Sequence, residues 1–228
     1  MRFEDIDGIR ALPLFRDCAD ASFTALLERA FLQRFPPGLV LVQDEDPADF
    51  LHVVVEGMVE MVTAHGGRET TLGFVRPFGT FIIAAVLMDQ AHLQTARTLE
   101  RSRILMVPAQ AVREIMRTDP GFMTAVTAEL AGDYRRTVKE LKSQKLRTGV
   151  ERLANWLLRH AHEASVQIPV EKRTLAARLG MTPENLSRAF ATLGPHGVEV
   201  QGPKVLLHDR PALEKLAKPS PLIDDFST

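Results

Sequence analysis

Between residues 39 and 108 the apolar residues of this chain come in short runs rich in β-branched residues, and from residue 109 onward they recur every third or fourth position. A chain whose hydrophobic period changes from two to about 3.6 must fold as a β unit followed by a helical one. The runs LVLVQ, FLHVVVE, MVEMVT, TTLGFV, LQTARTL and RILMVP are punctuated by turn signals at Asp44–Pro47, Gly57, Gly66-Gly67, Pro77 and Gly79. They predict an antiparallel β-roll. Before it, residues 5–32 read as short helices, with Leu26, Leu27, Ala30 and Phe31 as their apolar stripe. Inside it, PFGTFIIAAVLMD is apolar on more sides than one helix stripe needs, which predicts a short buried helix.

From Pro108 to about Arg147 the pattern is helical, with a short AQAVREIMR helix and a start signal at Thr118-Asp119-Pro120 for a longer one. On the longer helix, Thr127, Leu130, Tyr134, Thr137, Leu141 and Gln144 alternate at spacings of three and four. That is the seam of a coiled pair, and it predicts a homodimer. A further helix, ERLANWLLRHAHE, leads to residues 171–193, which read as helix, tight turn, helix. Thr182 suits the N-cap of the second helix, Pro183 its first position, and Gly180 the turn. Leu186, Phe190 and Leu193 form its inner side, matched by Leu175, Ala176 and Leu179 on the first helix. VEVQGPKVLLHD then reads as a hairpin turning at Gly202-Pro203, a wing.

The outer side of that second helix carries Glu184, Ser187 and Arg188, flanked by Thr182 and Asn185. An Arg fork fits the O6 and N7 acceptors of guanine, a carboxylate accepts from the N4 amine of cytosine, and Ser serves several bases. These five residues are the candidate DNA contacts. Charge follows the same division: residues 1–132 hold 12 Lys and Arg against 18 Asp and Glu, whereas residues 133–190 hold 12 against 6. A basic segment on a helix-turn-helix is the footprint of a phosphate-binding surface.

The 228 residues have globular composition, with 45% hydrophobic and 25% charged residues, and no apolar run long enough to span a bilayer. No signal-peptide pattern opens the chain. Cys18 is the single cysteine, which excludes an internal disulfide, a thiolate zinc site and a four-cysteine iron–sulfur cluster. A cytoplasmic protein with no membrane partner is expected.

The order of parts resembles the CRP/FNR family of bacterial transcription regulators over about the whole chain. Its most specific matches are the Gly57 turn after LHVVVE, Phe78-Gly79 before the inner helix, and Glu184-x-x-Ser187-Arg188. The resemblance implies an α+β chain in three parts: an N-terminal antiparallel, jelly-roll-like β-roll sensor domain (1–118), a long dimerisation helix (119–147) and a C-terminal winged helix-turn-helix (148–228). It implies a homodimeric, sequence-specific regulator, not an enzyme, that binds double-stranded DNA at half-sites akin to TTGAT. Arg188 would take the guanine, Glu184 the opposite cytosine and Ser187 an adjacent base. RNA polymerase joins the expected partners if the regulator is an activator.

In cyclic-nucleotide-binding members of that family a Glu follows the Phe-Gly pair and an Arg precedes a Ser or Thr; here those places hold Thr80 and Gln94. A buried phosphate without a cation is costly, so the resemblance does not extend to cyclic AMP. Thr80, Phe81, Ile82, Gln94, Thr95, Tyr134 and Thr137 remain the candidate effector pocket, and occupancy is expected to shift the packing of the inner helix and of the seam. Haem, carried by gas-sensing members, is the cofactor the resemblance leaves open, with His52, His65, Met88, His92 and Cys18 as available ligands. None has diagnostic spacing. Each His reads more readily as a surface strand or turn residue, and Met88 and Cys18 as core. His160 and His162, two apart on a helix, do not share a face. A different class, a metalloenzyme, enters because His52-x-x-x-Glu56 resembles half of a cupin metal site, but the preceding ligand position holds Phe50, which binds no metal.

Overall fold

The computed structural model describes residues 3–168 and 171–225. The chain divides into two units, Met1–Asp133 and Tyr134–Thr228. The first opens with helices α1 (Phe3–Arg10) and α2 (Asp20–Arg29), then β1 (Phe31–Phe35) and β2 (Val40–Val42). The expected helical stripe stops at Ala30. Phe31 instead opens a strand paired with Met106 and is half exposed, because a neighbouring strand satisfies its backbone better than a further helical turn without a cap would. β3 (Phe50–Glu56), β4 (Val59–His65), β5 (Arg68–Val75) and β6 (Thr80–Phe81) follow, then α3 (Ile83–Met88), β7 (Thr95–Thr98), β8 (Ser102–Pro108), α4 (Ala109–Thr118) and α5 (Pro120–Leu146), which continues into the second unit.

The strands form two antiparallel sheets, ordered β1-β8-β3-β6 and β2-β7-β4-β5. β3 and β8 are buried on both faces, which explains their nearly unbroken apolar runs. Leu51, Val53, Leu105 and Val107 face a cluster that includes Phe15, Leu26, Ile83, Val112 and Phe122. The alternate residues Val54 and Ile104 join Val42, Val59, Met61, Phe81 and Ala96 between the sheets. Gly57 turns the chain from β3 to β4 at φ +89°, and a Cβ there would lie 2.4 Å from the Ser102 hydroxyl. Only glycine fits.

α3 is shorter than expected, and Met88 at its end is 70% exposed rather than core. Ile83 and Val86 supply its buried side. Both flanking residues, Ile82 (φ +62°) and Asp89 (φ +54°), are left-handed. Arg113 ties the helix end down, donating to the Val86 carbonyl at 2.8 Å and pairing with Asp89 at 3.0 Å.

In the second unit α6 (Gly149–His160) starts with a capping box between Thr148 and Glu151. It ends at His160, so His162 lies beyond the helix, not on it. Next come β9 (Ser165–Gln167), α7 (Lys172–Arg178), α8 (Pro183–Leu193), a 3-10 turn, β10 (Val198–Gln201), β11 (Lys204–Leu207), α9 (Arg210–Ala217) and α10 (Pro221–Asp224). β9 adds an unexpected third strand to the hairpin, pairing with β11. Leu153, Leu157, Leu175, Leu186, Leu193, Val205 and Leu213 centre the core. Among the described residues no helix is long and apolar enough to cross a membrane.

Candidate nucleic-acid interface and sensor interior

α8 is set by its own sequence. The Thr182 hydroxyl accepts the Asn185 N–H at 3.3 Å, Pro183 stands in the first turn, and Leu186, Ala189, Phe190 and Leu193 are buried. Helical geometry therefore leaves Glu184, Asn185, Ser187 and Arg188 on the exposed side, as does the cap Thr182. The structure thus gathers all five expected DNA-contact residues on one end and face of one helix. Glu184 is held ionised below its usual range by its own backbone N–H and the Thr182 hydroxyl, with Arg188 adding to the effect. Asn185 and Arg188 border a cleft of ≈ 330 Å³ that Val150, Arg152 and Met181 close.

The turn before α8 is pinned by a residue the sequence did not single out. Arg152 donates to the carbonyls of Leu179 (2.8 Å), Arg147 (2.7 Å) and Gly180 (3.3 Å). A lone Arg on an amphipathic helix carries no sequence signal of this role. Gly180 itself adopts φ +64°, as the expected turn requires, and Gln144 of α5 lies against it. Gln144, expected on the open seam, therefore belongs in part to this contact. The other second-unit seam residues are exposed, Tyr134 at 71% and Leu141 at 55%, with Thr137 beside them. The expected wing is present, with Gln201 opposite Lys204 across its turn.

In the first unit the expected pocket residues come from both sheets, and Ile82 packs against the cluster that holds Phe81 and Ala96. Thr80 is buried and donates to Glu129 at 3.2 Å, and Phe81 is buried between the sheets. Thr95, on the other sheet, exchanges hydrogen bonds with Asp44, both at 3.2 Å, beside the half-buried Gln94. Tyr134 and Thr137 belong to the second unit. Glu60 and Arg97, unremarked in the sequence, form a polar ladder on β4 and β7. Arg97 donates to Glu60 at 2.8 Å and to Glu69 at 3.0 Å, while Thr71 donates to Glu60 at 2.6 Å.

Two histidines expected at the surface are buried instead: His52 is 4% and His92 3% exposed. His52 falls on the same side of β3 as Val54 and stacks on Phe81 with ring centroids 4.9 Å apart. Burial first, then the proximity of His92, lowers its pKa to about 4; burial likewise lowers His92. Neither Nδ1 has a hydrogen-bond partner among the described residues. His65 is exposed. Cys18 is core, as expected, with its thiol on Asp119 at 3.4 Å. Burial and that carboxylate raise its pKa to about 12. Glu56 is exposed and pairs with Arg103 at 2.6 Å, apart from the inward His52. Among the described residues no group of three or more His, Cys, Asp or Glu is placed to hold a metal ion.

Comparison with known proteins matches the same two regions. The family model for the cyclic nucleotide-binding domain matches residues 32–119, and that for the Crp-like helix-turn-helix domain matches residues 151–216. The HTH-type transcriptional regulator Cmr of Mycobacterium tuberculosis is 25% identical over 74% of this chain and 66% of its own length, just under two thirds. The CRP-like cAMP-activated global transcriptional regulator of the same organism is 22% identical over 90% of this chain and 96% of its own. The solved structure of FixK2 from Bradyrhizobium japonicum superposes with a TM-score of 0.72 at 22% identity, covering 84% of this chain and 98% of that one.

Proposed function

Since this chain belongs to the CRP/FNR family, as a DNA-binding transcription regulator with a cyclic-nucleotide-binding-like sensor domain and not an enzyme, we propose that it acts as a homodimer reading dyad-symmetric DNA in response to an effector other than a cyclic nucleotide. The observation that carries the base-reading part is the exposed set Glu184, Ser187 and Arg188 on the capped start of α8. Arg188 takes guanine, Glu184 the cytosine opposite, and Ser187 a neighbouring base, with Thr182 and Asn185 near the phosphates. The exposed Tyr134, Thr137, Val138 and Leu141 support dimer pairing along α5. Two reading heads one helical turn apart then match a two-fold site. Cytoplasmic location, and RNA polymerase as a partner where promoters are activated, follow from this reading.

The effector reading rests on Thr80, Gln94 and Thr95. Thr80 and Thr95 are engaged with Glu129 and Asp44, and neither they nor Gln94 offers a guanidinium to a cyclic phosphate. Binding of duplexes bearing TTGAT half-sites tests the DNA part. Arg188→Ala should lose about 1–3 kcal/mol of discrimination at the guanine while keeping weak non-specific binding. Unchanged specificity would sink the assignment.

A second reading, haem as the sensing group, is favoured by one observation: His52 and His92 are buried with their Nδ1 atoms unpartnered. Burial keeps both imidazoles in the neutral form that ligates iron. When bound, haem would supply a gas-sensitive iron. Protein expressed with ample haem should then show a Soret band that shifts with carbon monoxide and is altered in His52→Ala or His92→Ala. A featureless spectrum removes haem and leaves the regulator reading intact.

A further inference from the structure

Near the end of α5, within the second unit, four guanidiniums and two carboxylates line one cleft: Arg147, Arg152, Arg159, Arg178, Glu140 and Asp224. These six side chains together carry a formal charge of +2. Arg178 pairs with Glu140, and Arg147 grips Asp224 through two parallel bonds, each 2.6 Å. Arg152 is directed to backbone carbonyls. Arg159 feels desolvation first, then opposing contributions from Glu140 and Asp224 on one side and Arg178 and Arg147 on the other. Crowded guanidiniums repel, and the arrangement is stable to the extent that an anion sits among them.

The anion in place is supplied by the chain itself. Asp224 comes from α10, a four-residue helix with no buried residue. Its Leu222 side chain is 73% exposed. Ile223 is half-buried and lines the cleft; the hydrogen bonds that hold α10 are polar, Lys139 donating to the Asp225 carbonyl and Lys142 to the Leu222 carbonyl at 3.4 Å. The fork-to-fork grip of Arg147 on a carboxylate is also the geometry by which Arg holds phosphate. A segment with no fully buried residue, held largely by charge, yields to a competing anion.

We propose that this cleft is an oxyanion site for inorganic phosphate or the phosphate group of a small ester, with the Asp224 carboxylate as its internal occupant. The space left beside Asp224 is ≈ 20 Å³, room for about one water at roughly 10–15 Å³ each. Phosphate therefore enters by exchange with Asp224, not alongside it. The inference is independent of which bases α8 reads.

Calorimetric titration of inorganic phosphate into the full chain tests it, comparing wild type, Asp224→Ala and the double variant Arg147→Gln/Asp224→Ala. Asp224→Ala should bind one phosphate saturably, at least tenfold more tightly than wild type, and the double variant should lose that binding. Glycerol phosphate should behave like inorganic phosphate. A short duplex without half-sites should bind Asp224→Ala no better than wild type, which separates a free phosphate from a DNA backbone. Thermal melts monitor folding, and Asp224→Asn, which keeps the side-chain shape, replaces Asp224→Ala if the latter does not fold. Equal phosphate binding by the single and double variants overturns the site. So does a gain confined to the duplex.

Discussion

The Gln144 carboxamide covers Gly180: a Cβ built on that glycine would stand 2.5 Å from Gln144 Oε1. The end of α5 thereby touches the turn that sets α8, within one unit. Gly180→Ala meets two penalties, a left-handed backbone at φ +64° and this contact. It should lower unfolding stability by about 1–2 kcal/mol from the backbone alone. Gln144→Ala in the same chain should recover only the contact part, and a Gly180→Ala protein as stable as wild type would contradict the turn geometry.

Tyr134, Val138 and Leu141 present apolar surface to solvent along α5. Tyr134→Glu/Leu141→Glu should sediment as a monomer with unchanged far-ultraviolet dichroism. It should also bind a two-half-site duplex no better than a single half-site. A wild-type protein that sediments as a monomer at micromolar concentration would remove the pairing.

His52 gives the fold a defined acid sensitivity. Its folded pKa of about 4 lies below the ordinary 6.5, so the unfolded chain takes up the proton first. The associated stability is fully present above pH 6.5 and is lost as pH falls from 6.5 through 4. The full difference is about 3 kcal/mol. Denaturant midpoints measured across that window should fall less steeply in His52→Phe, which keeps a ring against Phe81.

Cys18 should be inert in the folded protein. Its thiol, raised to about 12, is protonated at pH 8, and the thiolate is the reactive species. Iodoacetamide should label it only after denaturant is added, and rapid labelling of native protein would contradict its burial against Asp119.

The β-roll, the long helix and the winged helix-turn-helix are legible in the sequence because each leaves a periodic trace: inward residues on α8 and α7, Pro183 after a capping Thr182, paired strands between turn residues. What escapes has no periodic trace. β1 follows α2 with no Gly or Pro between them, so FLQRF reads as the tail of a helix. β6 and β9 are two and three residues long, too short to show alternation. Burial of His52 and His92 depends on which face of a doubly buried strand, and which turn, meets the interior. The sequence lists their neighbours but not that choice. Arg152 of α6, Arg147 of the junction between α5 and α6, and Asp224 of α10 meet in one cleft, a convergence that only tertiary structure creates.

α3 begins and ends against its own backbone preference. A β-branched residue such as Ile82 at φ +62° sits in a region that costs on the order of 1–3 kcal/mol, whereas Asp89 tolerates the same region with less penalty. The tension is thus concentrated at the entrance to the helix, directly after the ring on which His52 stacks. A small molecule that allowed Ile82 to relax would gain that increment on top of its own contacts, so even a weak binder at this corner of the roll would be helped by the strain it releases.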